Sequence, residues 1–315
     1  MPQVVMRIEG LTKRFGSLVA VKNLNLEVYE GEVLGFLGPN GAGKTTSINM
    51  MCGLLKPDAG QVMLYDEPIT SGNGDVRARI GLCPQEPALW GRLTAFEQMQ
   101  FVGQMYGMGR SEARKASERL LAEFGLADSR NRQVRKLSGG MQRRLNVALA
   151  IVHDPEVVIL DEPEVGLDPQ SRVSVREYIR SLSQTKTIIL TTHNMDEADR
   201  LSSRIAIIDH GELMALDTPE ALKRSIGDRD VLEIRLQGSP EDMAEAEAAC
   251  EDLSGSAALD RESSTLVVRG AEVVRDLPST VEKLTKLGLR CGEVRLRQTT
   301  LEDVFIHLTG RSLRK

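Results

Sequence analysis

The chain has 315 residues, 41% hydrophobic and 27% charged, enough to bury one full-sized core and leave material for a smaller second domain. With 45 acidic against 40 basic side chains the formal net charge is -5, which leaves no broad basic surface to neutralise a phosphate backbone, so nucleic acid is not an expected partner. The longest unbroken apolar run, Val147 to Val152, is far below the roughly 18 residues that span a bilayer, and the start Met1 to Arg7 lacks a basic stretch before an apolar core, so a cytoplasmic product is expected.

From Val4 to about Thr218, short β-branched runs alternate with helical stretches, the pattern of an α/β core. The apolar run Val33 to Leu37 predicts a strand. It leads into Gly38-Pro39-Asn40-Gly41-Ala42-Gly43-Lys44-Thr45, which fits G-x-x-x-x-G-K-[ST] ahead of an expected helix, and Thr46 is expected to bind the cofactor with this loop. Such a loop turns backbone N–H groups toward phosphates, Lys44 adds a point charge, and Thr45 offers a hydroxyl to Mg²⁺. Over about residues 86–135 the reading becomes helix-rich, with Met99, Val102, Met105 and Tyr106 at helical spacing, which predicts a helical insert.

Next comes Leu137-Ser138-Gly139-Gly140-Met141, a second glycine-rich loop ahead of a helix expected to begin near Met141. It cannot reach the same phosphates from its own chain, which implies a nucleotide held between two subunits. The run Val157 to Leu160 predicts a strand that delivers Asp161 and Glu162 to the end of the sheet, where ligands sit in open α/β folds; Asp161 suits the metal and Glu162 a general base. Strands are also expected at Thr187 to Leu190 and Ile205 to Ile208, the first ending near His193. His153, His210 and His307 are expected at the surface or in packing. Cys52, Cys83, Cys250 and Cys291 form no C-x-x-C pair and read as reduced core thiols.

A polar turn at Ile226 to Asp230 places the domain boundary after residue 225. In residues 226–315, Leu232, Ile234 and Leu236 alternate with Glu233 and Arg235 as in a half-buried strand. Further strands are expected at Thr265 to Arg269 and Gly292 to Arg297, with helices at Pro240 to Leu253 and Glu272 to Leu287. Thr299 to Glu302 predicts a capping box, followed by a helix with Leu301, Val304, Phe305 and Leu308 on one face and Gly310 as its stop. The expected fold is an α/β phosphate-loop core with a helical subdomain, residues 1–225, plus a small α+β domain.

Taken together, Gly38 to Thr45, Asp161-Glu162 and the Leu137 to Met141 pentad resemble the ATP-binding cassette family, over about Val4 to Thr218. The resemblance implies that Ser138, Gly139 and Gly140 contact the γ-phosphate of ATP bound to a partner subunit. It also implies that Gln85 touches Mg²⁺ or the attacking water, that His193 meets the γ-phosphate, and that Asp168, in Gly166-Leu167-Asp168-Pro169, makes a polar contact across the dimer. Phe15 matches an adenine-stacking aromatic, with core packing as its other reading. Trp90 falls in the segment that couples to membrane partners, or packs inside the helical insert. Two residues depart from the usual pattern: Met141 replaces the commoner glutamine, and Glu164 stands where serine or threonine is usual. The extra carboxylate could raise the pKa of Glu162 or its own.

The ending Thr300 to Arg311 resembles the C-terminus of ATPases from daunorubicin-resistance-type exporters. This implies a bacterial ATP-hydrolysing subunit that binds ATP and Mg²⁺, forms a homodimer, and drives export through a separate transmembrane permease at the cytoplasmic face of the inner membrane. The alternative is a soluble cassette ATPase acting on ribosomes or nucleic acid. Such proteins usually carry two cassettes or long coiled coils, and neither is evident in the sequence. The second domain could stabilise the dimer, regulate it or contact the membrane subunit.

Overall fold

The computed structural model describes residues 3–70, 72–226, 230–238, 245–246, 255–260, 263–270 and 273–310. They divide into two units, Met1–Thr218 and Pro219–Lys315.

The first unit contains two sheets. Strands β1 (Val4–Phe15), β2 (Leu18–Tyr29), β4 (Ala59–Leu64) and β5 (Glu67–Pro68) form an antiparallel sheet in the order β2-β1-β4-β5. The second sheet comprises β3 (Val33–Leu37), β6 (Ile80–Cys83), β7 (Val157–Asp161), β8 (Thr187–Thr192), β9 (Arg204–Asp209) and β10 (Glu212–Asp217), in the order β10-β9-β3-β8-β7-β6. Its ladders are parallel except for β10 against β9. Every residue of β3, β7 and β8 is buried. That is why these segments read as unbroken apolar runs rather than alternating ones: a parallel sheet is covered on both faces.

Helix α1 (Lys44–Met51) leaves the end of β3. In the insert, α3 (Ala95–Met105) begins with a capping box between Thr94 and Glu97, and α4 (Arg110–Glu123) follows. The expected apolar stripe splits. Met99 is fully buried and Val102 packs against the core, but Met105 is 66% exposed, and Tyr106 ends α3 with its ring stacked on His153, centroids 3.7 Å apart. Cys52 and Cys83 are buried, and burial pushes both thiols up to about 12, so they behave as small hydrophobes; Cys250 lies outside the described residues.

The second unit starts earlier than the turn at Ile226 suggests. Helix α8 (Pro219–Ser225) packs with the helix Leu301–Thr309 and so belongs to it. Strands β11 (Asp230–Gln237), β12 (Gly255–Asp260), β13 (Thr265–Gly270) and β14 (Arg290–Gln298) form an antiparallel sheet in the order β12-β13-β11-β14. Leu232, Ile234 and Leu236 face the core while Arg235 is exposed, the alternation of a sheet covered on one face. The helix expected at Glu272 to Leu287 is present as Val273–Lys286. The helix expected at Pro240 to Leu253 falls outside the described residues except at 245–246, which are helical.

The last helix is capped one residue later than its sequence suggests. Thr300 caps it, and Asp303, not Glu302, answers in the box, accepting from the Thr300 amide at 2.9 Å and hydroxyl at 2.8 Å. Asp303 is recruited because it also takes Arg297 at 2.6 and 3.1 Å and Arg269 at 3.0 Å. Burial opposes ionisation of Asp303, but Arg297, the Thr300 amide and Arg269 outweigh it and hold the carboxyl well below its ordinary range. Leu301, Val304 and Phe305 are buried, and Gly310 stops the helix at φ 70°.

A carboxyl with a depressed folded-state pKa contributes stability that is present above about pH 4 and lost as pH falls through the folded value. Asp303→Asn should therefore destabilise the chain by about 2 kcal/mol at pH 7. The gap from wild type should close in acid, as read by thermal unfolding across pH.

Candidate active site

The loop between β3 and α1 is built around its glycines. At Gly43, φ is 98° and a Cβ would lie 2.3 Å from the Ala20 carbonyl oxygen, so no other residue fits there. Lys44 is buried. Its ammonium donates to the carbonyls of Gly38 at 2.7 Å and Pro39 at 3.1 Å, and lies 3.5 Å from Glu162 Oε1. Desolvation lowers the lysine pKa, and Glu162 works against that shift. The Thr45 hydroxyl donates to Asp161 Oδ2 at 3.0 Å, and the Thr191 hydroxyl donates to Asp161 Oδ1 at 2.5 Å.

Glu162 follows Asp161 in the left-handed region, φ 48°, a conformation a non-glycine residue keeps only where its surroundings hold it. Here the Thr191 hydroxyl and carbonyl both accept from the Glu162 amide, at 2.9 and 3.2 Å. The side chain is buried and faces His193, whose Nδ1 is 3.1 Å from Glu162 Oε1. A carboxylate, an imidazole and an ammonium thus meet where the strands of the parallel sheet end.

These groups open onto one cleft of about 780 Å³, a size suited to a small-molecule ligand. Phe15, Pro39, Asn40, Gly41, Gly43, Lys44, Thr45, Thr46, Gln85, Glu162 and His193 all line it. Ala42 is buried behind the loop, its carbonyl accepting from the Gly211 amide, and Gly38 is pressed against the Ile208 carbonyl. Phe15 is 51% exposed, which removes the core-packing reading. His210, expected at the surface or in packing, is exposed and lines this cleft from the turn between β9 and β10.

Ser138, Gly139, Gly140 and Asp168 do not line that cleft. Helix α5 (Gly139–Ile151) begins two residues before the expected Met141, because Ser138 is its cap and accepts from the Met141 amide at 3.3 Å. Asp168 caps α6 (Pro169–Leu182), accepting from the Ser171 amide at 3.0 Å and hydroxyl at 2.6 Å; that hydroxyl, then the amide, holds its carboxyl below the ordinary range. The two loops touch: a Cβ on Gly140 would stand 2.8 Å from Ser171 Oγ, so this glycine permits the approach.

Glu164 acts elsewhere than expected. It is buried and held by Arg176 at 3.3 and 3.1 Å, and the carboxyl it pushes upward is that of Glu197. Trp90 is 45% exposed and meets Phe101 edge-on at 5.2 Å, so it is not packed away inside the insert.

A family model described as ABC transporter matches residues 21–165. The chain is 37% identical to the daunorubicin resistance ATP-binding protein DrrA3 of Streptomyces coeruleorubidus, over 98% of this chain and 97% of that protein. It is 34% identical to the linearmycin resistance ATP-binding protein LnrL of Bacillus subtilis, over 98% and 100%. The chain belongs to the ABC transporter family. It is the ATP-binding, ATP-hydrolysing kind of ABC subunit. Among solved structures, a dimeric ATP-binding cassette in a post-hydrolysis state with ADP and Pi is similar, with TM-score 0.62, 27% identity, and coverage of 68% of this chain and 98% of that one.

One residue central to this ABC site is absent from the sequence reading. Arg143, on α5, is buried, and its guanidinium is directed at backbone carbonyls. It donates to Pro84 at 3.2 Å and Gln85 at 2.6 Å, to Asp161 at 3.0 Å and Pro163 at 2.9 Å, and to Glu162. One side chain therefore sets the loop carrying Gln85 and the loop carrying Glu162 relative to each other. Its only sequence signal is a position among Leu145, Val147 and Leu149 on a helix that turns out to be covered.

Arg143→Ala would leave several buried carbonyls without donors. An unfolding free energy lower by about 3 kcal/mol and ATP turnover reduced at least about tenfold are expected. Chemical denaturation and a phosphate-release assay measure both.

Proposed function

We propose that two copies of this chain close around two ATP molecules and that hydrolysis drives export through a separate transmembrane permease. The observation that carries this reading is the division of the phosphate-handling residues. Lys44, Thr45, Glu162 and His193 share one cleft, while the Ser138 to Gly140 loop lies outside it at an exposed helix start. A helix N-terminus with two glycines suits an anion, and in a facing copy it would meet the γ-phosphate.

In this reading Phe15 stacks on the adenine, the loop amides and Lys44 hold the phosphates, and nucleotide replaces the Gly38 and Pro39 carbonyls as the partner of the lysine. Thr45 and Asp161 offer oxygens 3.0 Å apart, and Gln85 lines the same cleft, a hard-oxygen donor set that fits Mg²⁺. When bound, Mg²⁺ neutralises charge on the β- and γ-phosphates. Glu162 takes a proton from the attacking water as the Pγ–O bond to ADP breaks, and His193 orients Glu162 through Nδ1. ATP shifts the open and closed states only through its tighter binding to the closed one, and the pentad supplies that difference.

No helix among the described residues is long and apolar enough to cross a membrane. In this reading a separate membrane partner holds the subunit peripherally at the cytoplasmic face. The exposed Trp90–Phe101 pair beside the Gln85 segment is a suitable apolar seat for it. The names of the relatives, daunorubicin resistance and linearmycin resistance ATP-binding proteins, support export as the direction.

Glu162→Gln keeps the shape and removes the base. Turnover should fall at least about 100-fold, and an ATP-bound dimer should accumulate in size-exclusion chromatography. Turnover at the wild-type rate in that variant would remove Glu162 from its role.

A further inference from the structure

Beside the catalytic carboxylate lies a second cavity of about 110 Å³, bounded in part by Glu162, Glu164, Thr192, His193 and Glu197. Two of these carboxyls, Glu164 and Glu197, take part in no step above, yet both are buried. Arg176 grips Glu164 with two nitrogens. Glu197 Oε2 accepts the Thr192 hydroxyl at 2.6 Å, but its Oε1 is buried with no hydrogen-bond partner. An ionised oxygen stranded there is costly, whereas a protonated one has a natural acceptor in Glu164.

We propose that Glu164 and Glu197 share one proton, and that the shared proton makes them positioning residues for His193. With the proton on Glu197 Oε1, that oxygen donates to the Glu164 carboxylate and ties the loop after β7 to α7 (Met195–Leu201). Glu197 in turn controls both neighbours of His193. Thr192 donates to its carboxyl, the Thr192 hydroxyl accepts from the Asn194 amide at 2.9 Å, and Asn194 Oδ1 accepts from the Glu197 amide at 3.2 Å. His193 lies between two members of that ring along the chain, its Nδ1 3.1 Å from Glu162 Oε1.

Losing the proton leaves two buried negative charges side by side, and the tie becomes a repulsion. The charged and titratable groups facing them are Arg176 and Arg172 from α6, Glu162 after β7 and His193 after β8. Arg176 is already committed to Glu164, and Arg172 Nε donates to the Leu167 carbonyl at 3.0 Å. Burial first, then the Glu164 charge, push the Glu197 carboxyl up to about 7, with Thr192 and Arg176 opposing, so the tie opens near neutrality. A serine or threonine at position 164 would carry no competing charge.

This inference rests on the roles of Glu162 and His193 proposed above, so one readout is chosen that needs no turnover. Infrared titration of the full-length protein should show a protonated-carboxyl band that fades as pH rises through neutrality, absent in Glu197→Gln and Glu164→Thr. No such band in wild type, or its survival in Glu197→Gln, overturns the shared proton whatever Glu162 does. The second readout is kcat for ATP between about pH 6 and 9. Wild type should lose about fivefold in kcat with little change in KM as the proton leaves, and both variants should lack that break. A wild-type profile that superimposes on that of Glu197→Gln overturns the positioning role.

Discussion

The site depends on a buried cation bonded to backbone carbonyls. Arg143 sits inside the first unit and satisfies carbonyls from two loops that the chain supplies at distant points, after β6 and after β7. Backbone carbonyls in loops near a core have no ladder partner, and each left unpaired costs as much as a lost hydrogen bond. Spending one guanidinium on them has a geometric result: Gln85 and Glu162 are set from one helix, the same helix whose first residues are Gly139 and Gly140. A displacement of α5 therefore reaches Gln85, Glu162 and the pentad together. Under the proposed function, that is a physical route by which closure around nucleotide at the helix start is coupled to Glu162.

The Glu162 carboxylate itself is held by opposition. Lys44 and His193 approach the same Glu162 oxygen from two loops, and the backbone beneath it is held in a left-handed conformation by Thr191. Such strain persists only where surroundings over-determine it, and the all-buried β7 and β8 provide that rigidity. The phosphate loop is similarly fixed by close contacts of Gly43 with Ala20 and of Gly38 with Ile208. Little reorganisation is then needed at the moment of reaction, which is the condition for electrostatic catalysis.

What the sequence reveals is whatever depends on short-range pattern. Val33–Leu37 is a strand residue for residue, and Pro39, Asn40, Gly41, Gly43, Lys44, Thr45, Gln85, Glu162 and His193 line one cleft, with Asp161 buried behind it and bonded to Thr45. What it hides depends on partners far along the chain. Arg143 looks like a surface charge because nothing local shows that its helix face is covered. Glu164 looks like a rival to Glu162 because it lies two residues away, whereas the fold presents it to Arg176 and Glu197. The capping box slips by one because two threonines and two acids stand in succession, and only Arg297 and Arg269 decide between the acids. Helix α8 joins the second unit through a contact with the last helix, which no turn composition encodes.

Nucleotide completion by a second copy is the claim from which the rest follows, since the pentad stands outside the cleft of its own chain. It is tested most directly by turnover per subunit measured during serial dilution, with mass photometry reporting the fraction of dimer at each concentration. Turnover should fall in step with the dimer and vanish as monomer takes over. A population measured as monomer that still hydrolyses ATP at the full per-subunit rate would contradict it.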